Sequence, residues 1–193
     1  MQGLNINHSI DPARPYDALP FDLPPHWHVD AIEPEAIKPL SEPQASVMAA
    51  LADPLHAPPL SQLARPGDHV CIAFTPPVTL CPEHILVAAL LRELEAAGVH
   101  DQDIILLCAS GPHGRTGYEQ KVARLGEEVV ERYHVVDHDV GEVVNLGRWQ
   151  GVPLTVNRYT LEADLLIATG VVAPHLYAGY SGGGETLAIG CVG

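Results

Sequence analysis

Two histidines stand where an apolar run gives way to a glycine-bearing loop. His113 lies in Ser110-Gly-Pro-His113-Gly-Arg115, directly after the apolar residues 103–109. His175 follows Pro174 in the segment 170–185, after the apolar residues 163–168. An imidazole changes protonation state near neutral pH, so two of them facing one substrate can act as general acid and general base. Beyond His175, the stretch Gly179-Tyr-Ser-Gly-Gly-Gly184 offers backbone N–H groups that can cradle an anion. Gly179, Ser181, Gly182, Gly183 and Gly184 are therefore expected to hold a cofactor or other anion. The alternative is a tight turn needing positive φ, with each histidine bonding only loop backbone. The stretch matches neither the dinucleotide fingerprint nor a P-loop.

These loops need elements to position them. His69-Val-Cys-Ile-Ala-Phe74 and residues 103–109 are almost continuously apolar, as strands buried on both faces are. Residues 82–97 carry Leu86, Leu90 and Leu94 on one stripe and stop at Gly98, which reads as a helix. Thr116 and Glu119 are spaced as a capping box for a helix that ends at Gly126. Tyr133-His-Val-Val136 is a third strand, residues 143–156 a hairpin around Gly147 and Gly151, and residues 164–169 a further strand. Ser41 is placed to cap an earlier helix that Pro54 stops. Strands separated by crossover helices give an α/β fold: a mostly parallel, Rossmann-like sheet with helices on both faces. Strand ends then share one edge, so His113 and His175 can converge at the C-terminal edge, where open α/β sheets bind ligands.

Residues 1–43 hold many of the chain's 18 prolines and read as an irregular arm, with residues 27–32 as one short strand and His26 and His28 alternating with Trp27 so as to share a face. Residues 44–193 form the α/β domain. His134 and His138 flank a strand-like Val-Val pair, which makes them a structural pair and leaves no metal site to assign. The four cysteines form no CxxC pair and read as buried thiols. The net charge of −14 argues against nucleic acid or an anionic membrane as partner. No basic-then-apolar leader and no run long enough to span a bilayer is present, so a cytoplasmic protein is expected.

Four stretches carry a resemblance to the N-terminal domain of the nickel-dependent lactate racemase family. They are Arg65-Pro-Gly-Asp-His-Val-Cys-Ile72; Leu94-Glu-Ala-Ala-Gly98 through Ala109-Ser-Gly-Pro-His113; Leu125-Gly-Glu-Glu-Val-Val-Glu-Arg-Tyr133 through His138-Asp139; and residues 170–184 with Pro174-His175 and Tyr180-Ser-Gly-Gly183. The resemblance implies an isomerase that racemises a 2-hydroxy acid. A nickel-pincer pyridinium nucleotide accepts the hydride, and His113 and His175 exchange the hydroxyl proton. It further implies a C-terminal domain lying beyond residue 193; a small anionic substrate contacted by Arg115, in place of the family's arginine, and by Tyr180 is expected, as is a homo-oligomer. Two positions depart from the family pattern. Glu185 stands where the family has the lysine that tethers the cofactor, and residues 76–80 lack the Asp and Arg of the family's Asp-x-Thr-Arg-Pro motif. A divergent or non-catalytic module binding a small anion or nucleotide is the alternative expectation.

Overall fold

The computed structural model describes residues 2–7, 18–24, 26–28, 30 and 37–193. The chain divides into two compact units, residues 1–39 and residues 40–193. In the first, β1 (Gln2–Asn7) pairs antiparallel with β2 (Ala18–Leu23). His26, Trp27 and His28 form no strand, because the Trp27 N–H closes a turn on the Pro24 carbonyl. Most of residues 29–32, the remainder of that expected strand, lies outside the described residues.

The second unit opens with two helices, α1 (Pro43–Ala52) and α2 (Leu60–Leu63). The cap of α1 is Glu42, not Ser41, and no side chain caps it; Ser46 donates its hydroxyl to the Glu42 carbonyl instead. Then come β3 (Val70–Phe74), α3 (Glu83–Ala96), β4 (Ile104–Cys108), α4 (Tyr118–Leu125), α5 (Glu127–Arg132) and β5 (His134–Asp137). A hairpin of β6 (Val143–Trp149) and β7 (Val152–Asn157) follows, turning through Gln150 and Gly151 at positive φ. The chain ends with α6 (Arg158–Glu162), β8 (Leu165–Ala168), a two-residue pair of β9 (Pro174–His175) with β10 (Gly179–Tyr180), and α7 (Gly183–Ala188).

Four strands make one all-parallel sheet in the order β5-β4-β3-β8. Side chains alternate across it. Ile72, Phe74, Ile104, Leu106 and Cys108 meet α3 through Val87, Leu90, Leu91 and Leu94, with Leu125 and Tyr133 beside them. Cys71, Ala73, Leu107 and Ala109 face the other way, against Cys191 and the half-buried Tyr159 and Leu187. Both faces are thus covered, which is why the central strands read as unbroken apolar runs. The buried stripe of α3 is 87-90-91-94; Leu86 is only half-buried.

Helix α4 begins one residue later than the Thr116–Glu119 spacing suggests. Gly117 is its cap, and its N–H donates to the Gln120 side chain at 3.1 Å. The Thr116 hydroxyl is engaged elsewhere, 3.4 Å from the buried Cys108 thiol. No helix among the described residues is long and apolar enough to cross a membrane.

Candidate functional site

Because β3, β4 and β8 are parallel and in register, their C-terminal ends open on the same edge of the sheet. Their three loops enclose a cleft of about 180 Å³, lined by Thr75 after β3, Ser110 and His113 after β4, and Ser181, Glu185 and Thr186 around the start of α7. Close backbone approach shapes it. A Cβ on Gly170 would fall 2.6 Å from Gly183 N, and one on Gly190 would fall 2.6 Å from the Ala109 carbonyl. Both positions are confined to glycine by contact, because any side chain there would push apart the loops that form the walls.

The two histidines differ in their surroundings. His113 ends a short 3-10 turn, Gly111–His113, whose Gly111 N–H donates to the Gly190 carbonyl. Its ring lines the cleft, is exposed, and has no hydrogen-bond partner among the described residues. The His175 ring is not among the cleft-lining groups. Its Nδ1 accepts the N–H of Tyr177 at 3.3 Å and of Ala178 at 3.1 Å. That occupation puts the proton of the neutral ring on Nε2. Nε2 faces the Glu185 carboxylate, 3.4 Å from its Oε1. Glu185, which does line the cleft, thus stands between His175 and the open space.

The hairpin carrying His175 is tied by Ser181. Its hydroxyl donates to the Val171 carbonyl at 2.6 Å and accepts the Ala173 N–H at 3.1 Å, while the Ser181 N–H donates to the Ala173 carbonyl. Ser181 therefore borders the cleft with its hydroxyl already committed. Of the other residues expected in the anion cradle, Gly182 lines the cleft, Gly183 and Gly184 open the six-residue α7, and Gly179 turns the exposed hairpin. Tyr180 is 70% exposed and is not a cleft residue. Arg115 points to Asp139 instead, with Nη2 2.5 Å from Oδ2, and this hydrogen bond holds the Asp139 carboxyl below its usual range. The structure therefore brings His113, Ser181 and Gly182 to one cleft and leaves Arg115 and Tyr180 off its walls.

Beneath the cleft lies a residue that the sequence reading missed. Glu83, in the first turn of α3, is completely buried. Its Oε1 accepts the Thr75 N–H at 2.8 Å, the Thr75 hydroxyl at 2.6 Å and the Thr169 hydroxyl at 2.9 Å. Arg124 donates to the Thr75 hydroxyl at 2.7 Å and to the Thr75 carbonyl at 3.3 Å. One carboxylate so joins the ends of β3 and β8, the two strands that feed the loops at Thr75 and Gly170. The only sign of it in the sequence is an acidic residue directly after Pro82, two positions before the apolar run 85–91. The neighbouring Cys81 thiol is pushed up to about 12, first by burial and then by Glu83, and Cys108 to about 11 by burial; neither is a nucleophile at neutral pH. Ser110 and Thr186 are further cleft residues that no motif marked. The Ser110 hydroxyl is buried and unpartnered among the described residues, and Thr186 donates to the Thr169 carbonyl at 2.7 Å.

This architecture has relatives. Residues 16–193 match the lactate racemase N-terminal domain family. The chain belongs to that family. It is 33% identical over 152 residues to the lactate racemase of Lactiplantibacillus plantarum, an alignment covering 77% of this chain and 35% of that protein. To the lactate racemase of Thermoanaerobacterium thermosaccharolyticum it is 30% identical over 145 residues, covering 73% and 34%. The chain thus spans about a third of the length of these curated relatives. The apoprotein structure of lactate racemase from T. thermosaccharolyticum superposes with a TM-score of 0.75 at 27% identity, over 99% of this chain and 44% of that one. A Thermotoga maritima protein of 20% identity, with a TM-score of 0.59 over 78% of this chain and 38% of that one, shares the fold alone.

Family membership suggests a nickel-pincer nucleotide. The residues of this chain do not fit its tethered form. Where the resemblance expects a lysine tether stands Glu185, whose carboxylate faces His175 at ion-pair distance and cannot make the link a lysine amine makes. Among the described residues no Lys or Arg lines the cleft to receive a phosphate.

Proposed function

We propose that this chain is the site-bearing domain of a lactate-racemase-like isomerase whose cleft receives a small hydroxylated substrate. The 2-hydroxy acids are the class that family membership nominates. The observation that carries this reading is the shared cleft: His113 and Glu185 line it from separate loops, and Glu185 is backed by His175. An unpaired imidazole at the end of β4 is free to withdraw and return a hydroxyl proton. His175 acts through Glu185, holding the carboxylate in place. In relatives that carry it, the nickel-pincer nucleotide supplies hydride acceptance; the residues here account for binding and proton movement only.

Glu185 at the tether position favours a second reading, a ligand-binding module of the same fold without turnover. One experiment separates the two. Single enantiomers of lactate and longer 2-hydroxy acids are incubated with the protein, with and without added nickel-pincer nucleotide. Chiral chromatography follows the substrate, intact mass the protein, and imidazole NMR the His113 ring. The isomerase reading expects loss of enantiomeric purity that His113→Ala abolishes. Unchanged enantiomeric purity in every arm, with His113 resonances still shifted by ligand, leaves the binding module standing and removes the isomerase.

A further inference from the structure

We infer that Glu83 is the positioning residue of the cleft: by way of Thr169 and Thr186 it sets where Glu185 stands, and by way of Thr75 and Arg124 it ties that wall to the helix that follows the His113 loop. This rests on the reading of the cleft as the ligand site, and it adds the group that holds the walls of that site at their spacing.

The hydrogen bonds of both walls converge on one atom. A carboxylate oxygen only accepts, so a hydroxyl that bonds to Glu83 Oε1 commits its single proton there. Thr169 donates its hydroxyl to that oxygen at 2.9 Å, closer than the 3.4 Å to the Ala73 carbonyl. The Thr169 carbonyl in turn accepts the Thr186 hydroxyl at 2.7 Å. Thr186 is the residue after Glu185, and both line the cleft. From the other side Thr75, also a cleft residue, gives its N–H at 2.8 Å and its hydroxyl at 2.6 Å to the same oxygen. The Thr75 hydroxyl accepts from Arg124 at 2.7 Å, and Arg124 lies in the last turn of α4. One fully buried carboxylate on α3 is thus linked to β3, α4, β8 and α7.

Glu185 depends on this linkage for its place. The residues before it are Gly182-Gly183-Gly184, which bring no side chains to pack, and α7 is six residues long. A helix so short has little stability of its own. The next residue, Thr186, supplies an anchor, and that anchor leads through Thr169 to Glu83. The other contact of Glu185, His175 Nε2 at 3.4 Å, comes from a hairpin that is itself held by hydrogen bonds. Groups that act on one ligand must keep their geometry to within about 0.5 Å. An acceptor that fixes Thr169 therefore fixes the gap between Glu185 and His113. Without it the Thr169 hydroxyl is left with the more distant Ala73 carbonyl, and Thr75 is left with Arg124 alone.

The test uses the isotope-labelled 193-residue chain. The Glu185 and Thr186 amides and the His175 ring nitrogens report the position of the wall, and lactate titrated against the His113 ring signal reports binding. Leu94→Ala, a truncation of a fully buried apolar side chain on the same helix, is the stability control. Glu83→Ala should move the Glu185, Thr186 and His175 signals and weaken lactate roughly tenfold. Glu83→Gln keeps the acceptor oxygen and should hold lactate affinity within about threefold. Leu94→Ala should lower the urea midpoint and leave signals and affinity as they are. Should Glu83→Ala fail to fold, Thr169→Val takes its part: it removes one link and should shift the Glu185 and Thr186 amides but not the Thr75 amide. The positioning role is overturned if Leu94→Ala or Glu83→Gln weakens lactate as much as Glu83→Ala does. It is overturned as well if the Glu185 and His175 signals stay unmoved in Glu83→Ala or, where that fails to fold, in Thr169→Val. Lactate that leaves the His113 signal unshifted in the unmodified chain overturns the reading of the cleft as its site; the Glu185 and His175 signals then still settle whether Glu83 holds the wall.

Discussion

The loops after β4 and β8 each present a histidine at the same sheet edge, yet they hold it in different ways. His113 follows directly from a strand buried on both faces and sits on a three-residue turn pinned by one backbone bond to Gly190. Its position comes from the core, and its ring has no hydrogen-bond partner among the described residues. His175 lies seven residues beyond β8, on a small hairpin with little buried apolar surface of its own. Its position comes from polar knots: Ser181 on three backbone groups, two N–H groups on Nδ1, and Glu185 before Nε2. A histidine held by packing remains chemically free, whereas one held by hydrogen bonds has spent its ring nitrogens on being held. The first suits direct contact with a ligand, and the second suits holding the group in front of it.

The comparison breaks most completely at Glu83. Its carboxylate anchors Thr75 and Thr169, hence the approach to the His175 loop, and makes no hydrogen bond to the His113 turn among the described residues. Glu83→Ala leaves one buried N–H and two threonine hydroxyls without their acceptor and should lower unfolding free energy by about 3 kcal/mol. Glu83→Gln keeps an acceptor oxygen and should cost roughly 1 kcal/mol or less. Urea unfolding of both variants checks this; equal losses would mean that the site tolerates the cavity and does not need the acceptor. A smaller, more local effect is expected at the knot itself. Ser181→Ala should remove roughly 1 kcal/mol and speed hydrogen exchange at the Tyr177 and Ala178 amides, leaving exchange at the Gly111 amide unchanged. Acceleration at both loops together would show that the two histidines are held by one cooperative unit.

Much of this scaffold was legible in the chain. Val70–Phe74 and Ile104–Cys108 read as strands because a sheet covered on both faces demands apolar residues at every position. Parallel order followed from the intervening helices, and the shared edge followed from parallel order. Local signals of one or two residues fared worse. Thr116 carries a good capping side chain, but Cys108, eight residues earlier, takes its hydroxyl and the helix starts at Gly117. The proline-flanked His26, Trp27 and His28 close a turn where alternation suggested a strand. The site was readable as two histidines and a glycine loop. Its supporting chemistry was not, because it is non-local: the contact of Glu83 with Thr169 spans 86 residues, and the Arg115 partner is 24 residues away. A spacing rule reaches four residues along a helix or two along a strand, so it has no access to such pairs.

A third histidine gives the finest distinction. His138 follows β5, on the same sheet edge, and is 3% exposed. Its Nδ1 lies 3.2 Å from the Asn157 side-chain amide, and its Nε2 has no partner among the described residues. Burial pushes its pKa below the ordinary value of 6.5. The sign of the linkage follows. With the folded pKa depressed, the unfolded chain binds the proton first as pH falls, so stability rises with pH across this window. The contribution is complete above about pH 6.5 and is lost as pH drops through the folded pKa. Asp139 is a neighbour with a lowered pKa as well, but its window opens only below about pH 4 and its exposed pair with Arg115 is screened by salt. Urea midpoints measured between about pH 5 and pH 8 should therefore fall toward acid for the unmodified chain and flatten for His138→Gln. An unchanged slope in the variant would take the titration away from His138. A flattened slope would separate three histidines on one sheet edge by what holds them: packing without a partner, hydrogen bonds on both sides, and burial that keeps the ring neutral.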